Sequence, residues 1–367
     1  MDFFRLSTVL CLVFLVTLNS ACTKNEDDNN EATGKYDADV LICNEGPFQE
    51  GSGSISYLNR TTGVLENGVF ETVNSRPLGN IVQSVAVHQG KTYIVVNNAN
   101  KVEVVDAGSF ESVGAIETGI AQPRYFIGLN ENKGYLSQWG DVDVDASVAV
   151  IDLNTFTVTK TIAVPDGGPE QMVLVNETLW FVVSGGFNSA NKVGSFNTTT
   201  DELIGYTTVG DSPNSLQKDI DGNLWVLCGG KKIYDPVTWY LDESQSTAGS
   251  LCKIETANGA VTMVAFDDIT AYPNSLQINA DATEMYYLYN GSVVKQATSN
   301  LSTINTNALV NGFFYGLGYD AAENYLYASD PLDYASNGYV IRYTTNGTTV
   351  DSLNVGVVPN GSFYFYN

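Results

Sequence analysis

The sequence has few basic residues and a single histidine. Its 367 residues contain 17 Lys and Arg against 41 Asp and Glu, which gives a formal net charge of −24 at pH 7. Because proteins bind the phosphate backbone through clustered basic side chains, this balance argues against a nucleic-acid partner. The one histidine, His88, follows a predicted strand, and we expect it to be an exposed turn residue. Ser-His-Asp and Cys-His sites therefore have no support, and we predict neither a catalytic constellation nor a resident cofactor.

Long apolar runs are also scarce. The marked one, residues 10–16, is too short to span a bilayer, and we predict that residues 1–21 are a signal peptide. The Ser-Ala-Cys that ends it resembles a bacterial lipobox, which implies lipidation of Cys22, with ordinary cleavage nearby as the alternative. Residues 22–36 are then the lipidated cysteine and an acidic flexible tether. The tether is similar to the signal that sends Bacteroidota lipoproteins to the outer face of the outer membrane, which implies a cell-surface protein.

Cysteines are few as well. Of the five, Cys11 lies in the predicted leader and Cys22 is the predicted lipidation site, so three remain for the folded body. An odd number in an exported protein cannot pair completely. Cys228 and Cys252 are placed to face each other across a hairpin, and both a disulfide and two buried thiols stay open.

What the chain does contain is a repeat of about 46 residues. A proline followed by a polar residue and an apolar strand recurs along the chain, with Gly312 in place of proline in one copy. The prolines are Pro77, Pro123, Pro169, Pro213, Pro273 and Pro359. Each copy holds four strand-like runs separated by turn residues, such as Asp221-Gly222 and Asn258-Gly259 in the clearest copy. Four short antiparallel strands per repeat are typical of one propeller blade.

The copies add up to one closed ring. Six full copies begin near residues 81, 125, 171, 215, 275 and 313. Residues 361–366 look like a first strand without followers, whereas residues 40–43, 53–58 and 64–66 look like followers without a first strand. Joining the two ends completes a seventh blade and hides exposed sheet edges. We therefore predict an all-β fold over residues 37–367: a seven-bladed β-propeller with four antiparallel strands per blade, closed by the C-terminal strand pairing in the N-terminal blade.

One face of this propeller is expected to bind a ligand, because the second-to-third strand loops there are long. Aromatic candidates in these loops are Phe48, Trp139, Phe187, Tyr234, Trp239, Tyr240 and Tyr334. Polar candidates in the connections between blades are Arg76, Asn80, Arg124, Gln171, Asn214, Asn274 and Asn360. An aromatic rim over amides and guanidinium groups suits a large ligand with apolar faces and amide or hydroxyl edges. A purely structural role for each connector asparagine stays open, since asparagine is a good turn residue.

Metal binding has little support. Asp141, Asp143 and Asp145 are two residues apart and form a weak calcium candidate, but the segment lacks the glycine and the distal glutamate of an EF-hand loop. No spacing marks a pair of carboxylates for glycoside hydrolysis.

The blade sequences resemble a known family. The run Pro-Asn-Ser-Leu at residues 213–216, the turn and strand at residues 221–226, and the echo at residues 273–276 look like the signature of exported seven-bladed propeller lipoproteins of Bacteroidota, specifically the BtuG-like group. The resemblance covers essentially the whole body. It implies capture of cobalamin or other corrinoids as a transported ligand, not a cofactor, and handover to a TonB-dependent barrel transporter. It identifies no individual binding residue.

Two other classes of function remain open. A carbohydrate-binding or sugar-lactone-hydrolysing propeller uses a similar aromatic rim for stacking on sugars, and a scaffold of another nutrient-uptake system uses it against protein.

Overall fold

The structure is a computed structural model that describes residues 34–48 and 51–366. The predicted signal peptide, Cys22 and most of the predicted tether lie outside the described residues. Residues 34–36, the end of that tether range, are described and lie against the body. The backbone N–H groups of Lys35 and Tyr36 donate to Gly108 O at 2.9 and 3.1 Å. The Tyr36 ring packs edge-on against Tyr57 and Phe110, so the packed chain is visible from three residues before the predicted boundary at residue 37.

The body is built from seven four-stranded antiparallel sheets, which we number as blades 1 to 7. Blade 1 holds β1 (Val40–Asn44), β2 (Ser54–Leu58), β3 (Leu65–Glu66) and β28 (Pro359–Phe365), and helix α1 (Val69–Asn74) follows it. Blade 2 holds β4 (Val82–His88), β5 (Lys91–Val96), β6 (Lys101–Asp106) and β7 (Ser112–Ile116). Blade 3 holds β8 (Pro123–Asn130), β9 (Lys133–Gln138), β10 (Ser147–Asp152) and β11 (Thr157–Ala163). Blade 4 holds β12 (Pro169–Val175), β13 (Thr178–Val183), β14 (Lys192–Asn197) and β15 (Glu202–Thr208).

The remaining three blades repeat the pattern. Blade 5 holds β16 (Pro213–Lys218), β17 (Leu224–Cys228), β18 (Ser250–Glu255) and β19 (Ala260–Ala265). Blade 6 holds β20 (Asn274–Ile278), β21 (Glu284–Tyr289), β22 (Ser292–Ala297) and β23 (Ala308–Val310). Blade 7 holds β24 (Gly316–Asp320), β25 (Tyr325–Asp330), β26 (Asn337–Thr344) and β27 (Thr349–Val357). The predicted all-β, seven-bladed fold is confirmed.

The ring closes through β28, which pairs antiparallel with β1, as predicted. Val40 lies opposite Phe365, and Ile42 lies opposite Phe363. Arg60, in the β2–β3 turn, adds polar contacts to this closure. Its Nη1 donates a hydrogen bond to the carbonyl of Tyr366 at 2.7 Å, and its Nε lies 2.9 Å from the buried carboxylate of Asp320 in blade 7. The closing sheet therefore joins the two ends of the described chain and ties blade 7 to blade 1.

Apolar side chains fill the space between neighbouring blades. Tyr93 of blade 2, which is 1 % exposed, stacks on Phe126 of blade 3 with ring centroids 4.0 Å apart. The same kind of contact joins blade 7 to blade 1, where Tyr327 packs edge-on against Phe363 and Phe365. Aromatic pairs of this kind add to the free energy gained by burying their area. Aromatic packing of this kind thus joins neighbouring blades of the ring.

The cysteines of the described body are all buried free thiols. Cys43 lies in β1, Cys228 in β17 and Cys252 in β18. The sequence left open a disulfide or two buried thiols for Cys228 and Cys252, and in the structure both are buried free thiols. Within the described residues, no helix is long and apolar enough to cross a membrane.

Candidate ligand-binding cavity

The innermost strand of most blades begins with the same local structure. A residue just before the strand is left-handed, with φ of 47° at Gln122, 52° at Ser212 and 55° at Val358. A register shift follows, as between Pro123 and Tyr125. Such a bulge redirects the side chain at the extra position, and bulges are common beside binding sites.

The redirected positions, with Asn274 and Tyr315 at the matching places in blades 6 and 7, form what we name the mouth ring. Its members, one from each blade in order, are Asn360, Gln83, Arg124, Glu170, Asn214, Asn274 and Tyr315. Every member lines a central cavity of about 1010 Å³. This volume lies at the upper end of the range of about 300–1,000 Å³ that is usual for small-molecule sites. The cavity therefore has room for a bulky ligand.

The cavity is polar at the mouth and mixed below it. Beyond the mouth ring, blades 7, 1, 2 and 3 bring mainly apolar side chains to the lining, whereas blades 5 and 6 bring amides: the apolar ones are Val85, Phe126, Leu317, Phe363 and Phe365, and the amides are Gln217 and Gln277. Because successive residues of a strand advance by about 3.3 Å, these side chains lie roughly 7–17 Å further along the axis than the mouth ring. A ligand can thus place polar edges at the mouth and an apolar surface against the side of the cavity that blades 7, 1, 2 and 3 form.

Three predicted aromatic residues line the cavity: Phe48, Trp139 and Phe187. Phe48 is 73 % exposed and Phe187 is 86 % exposed. The rings of Trp139 and Phe187 meet edge-on with centroids 5.2 Å apart. Tyr272 and Tyr315, which the sequence analysis did not select, join them in the lining. Large aromatic side chains held open to solvent around a cavity can stack on the apolar face of a ligand.

A charged cluster occupies one side of the mouth. Arg124 Nε donates to Glu170 Oε2 at 3.1 Å, and Arg124 Nη1 donates to Gln83 Oε1 at 2.6 Å. The guanidinium carbon lies 4.5 Å from the centroid of the Trp139 ring, within cation–π range. Three consecutive blades therefore hold the guanidinium group in one place.

Glu45 is the second carboxylate of this cluster. Burial raises the pKa of Glu45, and Asn360, Arg124 and Tyr315 oppose the rise. Burial also raises the pKa of Glu170, against the opposing effect of Arg124 and of the Trp139 indole. Glu45, Arg124 and Glu170 are the charged residues among the described ones that line the cavity. The mouth thus carries two acidic groups and one basic group.

Several amides of the mouth also hold the ring together. Asn214 Nδ2 donates to Pro273 O at 2.9 Å, and Asn360 Nδ2 donates to Val82 O and Gln83 O at 3.2 and 3.0 Å. Gln171, which lines the cavity, accepts a hydrogen bond from the backbone N–H of Leu216 through Oε1 at 2.9 Å. The connector amides thus form hydrogen bonds between neighbouring blades, and these bonds occupy part of their hydrogen-bonding capacity.

Two predicted polar residues lie away from the cavity lining. Arg76 forms an ion pair with Glu103 at 2.7 Å and stacks on Phe70 with its guanidinium carbon 4.8 Å from the ring centroid. Asn80 donates to Pro47 O at 2.6 Å and accepts from Asn98. The reason is a wrong alignment of one repeat: the structural counterpart of Pro123 in blade 2 is Val82, not Pro77, because α1 lengthens the connection that precedes β4.

The other predicted aromatic residues do not line the cavity. Tyr234, Trp239 and Tyr240 lie in the long loop between β17 and β18, where they are 54 %, 77 % and 79 % exposed. Tyr334 is 53 % exposed, and its ring lies edge-on to that of the lining residue Tyr315 with centroids 5.6 Å apart. The structure therefore gathers Phe48, Arg124, Trp139, Gln171, Phe187, Asn214, Asn274 and Asn360 around the cavity.

The remaining predictions concern metal and histidine chemistry. Asp141, Asp143 and Asp145 are exposed, and Asp141 Oδ1 accepts the backbone N–H groups of Asp143 and Val144. In the part of the chain that the structure describes, no group of three or more potential ligands is placed to hold a metal ion. The prediction of an exposed His88 is wrong: the ring is partly buried over Gly128, and its Nε2 lies 2.8 Å from Asn130 O.

Sequence reasoning missed Gln83, Glu170 and Tyr315 of the mouth ring, as well as Glu45. A signal for Glu170 was present, because it follows Pro169 as Arg124 follows Pro123 and Asn214 follows Pro213. Glu45 had no such signal, since it lies outside the repeated motif, directly after β1.

A family described as a domain of unknown function (DUF5074) matches residues 38–365. The chain belongs to the DUF5074 family. The match spans all seven blades, so the family corresponds to the complete propeller and not to a single repeat. Comparison with curated proteins finds no match.

Solved structures share the fold at low sequence identity. A quinonprotein alcohol dehydrogenase-like protein from Bacteroides thetaiotaomicron is 12 % identical with a TM-score of 0.62, covering 91 % of this chain and 80 % of that one. A periplasmic gluconolactonase from Pseudomonas aeruginosa is also 12 % identical, with a TM-score of 0.60 over 89 % and 98 % of the two chains. A functionally unknown protein from Desulfotomaculum acetoxidans is 13 % identical with a TM-score of 0.63, again over 89 % and 98 %. These likenesses concern the fold alone.

Proposed function

We propose that this DUF5074 protein is a binding protein that captures cobalamin or a related corrinoid in the central cavity. In this proposal Cys22 carries lipid and anchors the propeller to the outer face of the outer membrane. The captured corrinoid is then passed to a TonB-dependent barrel transporter. The protein acts as a carrier and not as an enzyme.

The observation that supports this proposal most is the cavity of about 1010 Å³, whose lining combines aromatic and aliphatic side chains with many amides. A corrinoid is a bulky ring with apolar faces and a fringe of carboxamide groups. Phe48, Trp139 and Phe187 offer aromatic surface for a ring face. The amides of Gln122, Gln171 and other lining residues offer donors and acceptors for the fringe.

The experiment is a direct binding measurement on the purified protein. Cyanocobalamin is titrated by isothermal calorimetry, and retention of its red colour with the protein on a desalting column gives a second readout. We expect one site per chain with a dissociation constant of about a micromolar or tighter. The variant that tests the site is Phe187→Ser, which alters an exposed residue of the cavity lining and is expected to weaken binding without unfolding the protein.

The alternative functions predict different results in the same assays. If the protein retains no cyanocobalamin at micromolar concentration, the proposal is wrong. If the protein hydrolyses a sugar lactone, the lactone-hydrolysing function takes the place of corrinoid capture. If it binds an oligosaccharide tightly, the carbohydrate-binding function does.

A further inference from the structure

The charged side of the mouth presents a donor and an acceptor next to each other. The guanidinium of Arg124 uses Nε toward Glu170 Oε2 and Nη1 toward Gln83 Oε1. Its third nitrogen, Nη2, lies on the same edge of the planar group as the Nε–H, and it donates no hydrogen bond to another described residue. The carboxylate of Glu170 can accept further hydrogen bonds, because its two oxygens carry about four lone-pair sites.

We propose that Arg124 and Glu170 together recognise a primary carboxamide of the ligand and discriminate against the corresponding carboxylate. The carbonyl oxygen of the amide accepts from Arg124 Nη2, and its NH₂ group donates to Glu170. The assignment rests on the proposed function and deepens it, because it names the chemical group that this part of the cavity reads.

The pair is held firmly enough to be selective. Gln83 holds one end of the guanidinium at 2.6 Å, and the Trp139 ring covers it at 4.5 Å. Glu170 is 7 % exposed, so its carboxylate has little freedom to turn away. A donor and acceptor fixed before binding lose less entropy when the ligand arrives, and they penalise a ligand whose groups do not match.

The charges of the mouth work against an anionic ligand. A ligand carboxylate in this place has no hydrogen to donate to Glu170, and it faces the negative charges of Glu170 and Glu45 with Arg124 already paired. The lining carries one more negative than positive side chain, and the whole chain has a formal charge of −24. Like charges in a partly desolvated site repel more strongly than in water. A neutral amide avoids this repulsion.

The test compares cyanocobalamin with its monocarboxylates, in each of which one peripheral propionamide is hydrolysed to the acid. Each is titrated separately into the unaltered protein at pH 7. We expect at least one monocarboxylate to bind tenfold or more weakly than cyanocobalamin. If cyanocobalamin binds and every monocarboxylate binds within twofold of it, this assignment is overturned while the proposed function stands. If cyanocobalamin itself does not bind, both are overturned.

Variants then assign the discrimination to the pair. Glu170→Gln removes the negative charge and frees Arg124 for a carboxylate, so the gap between amide and acid is expected to shrink to threefold or less. Glu202→Gln is the matched control, because Glu202 is exposed on β15 of the same blade, and it should leave the gap unchanged. An unchanged gap in a folded Glu170→Gln protein would falsify the role of this pair. The comparison of ligands on the unaltered protein needs no variant to fold.

Discussion

The aromatic side chains at the mouth of the cavity and those of the β17–β18 loop differ in what lies behind them. At the mouth, Trp139 is packed between the guanidinium of Arg124 and the ring of Phe187. In the β17–β18 loop, Trp239 and Tyr240 are more than three-quarters exposed. The hydrogen bonds near them join residues of the same turn to Asp235. Exposure alone therefore does not mark a binding surface. An aromatic ring fixed by charged and aromatic neighbours beside a cavity is a better candidate than a ring at the tip of a loop.

The largest effect is expected when the Arg124 side chain, which pairs with Glu170 and packs against Trp139, is removed from the mouth. Arg124→Ala leaves Glu170 buried without its ion-pair partner, and we expect a loss of about 3 kcal/mol in the free energy of unfolding. Affinity for cyanocobalamin should fall at least about tenfold, or about 1.4 kcal/mol. Urea unfolding and calorimetric titration measure the two effects.

Arg76→Ala is the matched control for that change, since Arg76 also forms an ion pair and a cation–π contact but lies outside the cavity lining. It should destabilise the protein without changing affinity. Equal losses of affinity in the two variants would contradict the placement of the ligand at the mouth.

A smaller effect is expected when the Trp139 ring is removed from the mouth. Trp139→Ala removes the ring that covers Arg124 and contacts Phe187, and it should cost about 1–2 kcal/mol of binding free energy. Fluorescence quenching by the corrin chromophore and calorimetry both report it. Unchanged affinity in a folded variant would show that the mouth aromatics are no better placed than those of the loop.

The acidic side of the mouth makes a pH-dependent prediction. Burial raises the pKa of Glu45, so this group favours the folded state below its unfolded pKa and loses that contribution as the pH rises through the folded value. Glu45→Gln should therefore raise the thermal midpoint at pH 7 relative to the unaltered protein, and the gain should fade toward pH 4. Circular dichroism at the two pH values tests this, with exposed Glu202→Gln as the control. A gain that grows on acidification would mean that the sign is wrong.

The smallest effect is expected at the loop. The double change Trp239→Ser and Tyr240→Ser alters two exposed side chains that do not line the cavity. Stability should stay within about 0.5 kcal/mol, and affinity for cyanocobalamin within about twofold. A large loss of affinity would erase the distinction between the two aromatic groups.

The repeat was legible in the sequence because each blade needs the same turns and the same bulge. Asp221-Gly222 and the prolines at residues 123, 169 and 213 carry backbone requirements that recur at fixed spacing. The fold and its closure could therefore be predicted. The alignment failed at Pro77, where α1 adds residues of no repeated pattern, and this error misplaced Arg76 and Asn80.

The chemistry of the cavity was harder to predict. Whether an amide such as Asn214 binds a ligand or a neighbouring blade depends on contacts across about sixty residues of sequence. The charged cluster depends on residues from different blades, with Glu45 coming from outside the motif. Such proximity arises only when the ring is closed.

The position of β28 has a consequence for when the cavity wall can be completed. This strand is the innermost strand of blade 1, it supplies Asn360, Phe363 and Phe365 to the cavity, and it follows every other described strand along the chain. A nascent or truncated polypeptide that lacks residues 359–365 has six complete blades and a gap in the wall. Such a polypeptide leaves the edge of β1 without its partner strand and lacks three residues of the cavity lining, so the cavity is complete only when β28 is in place.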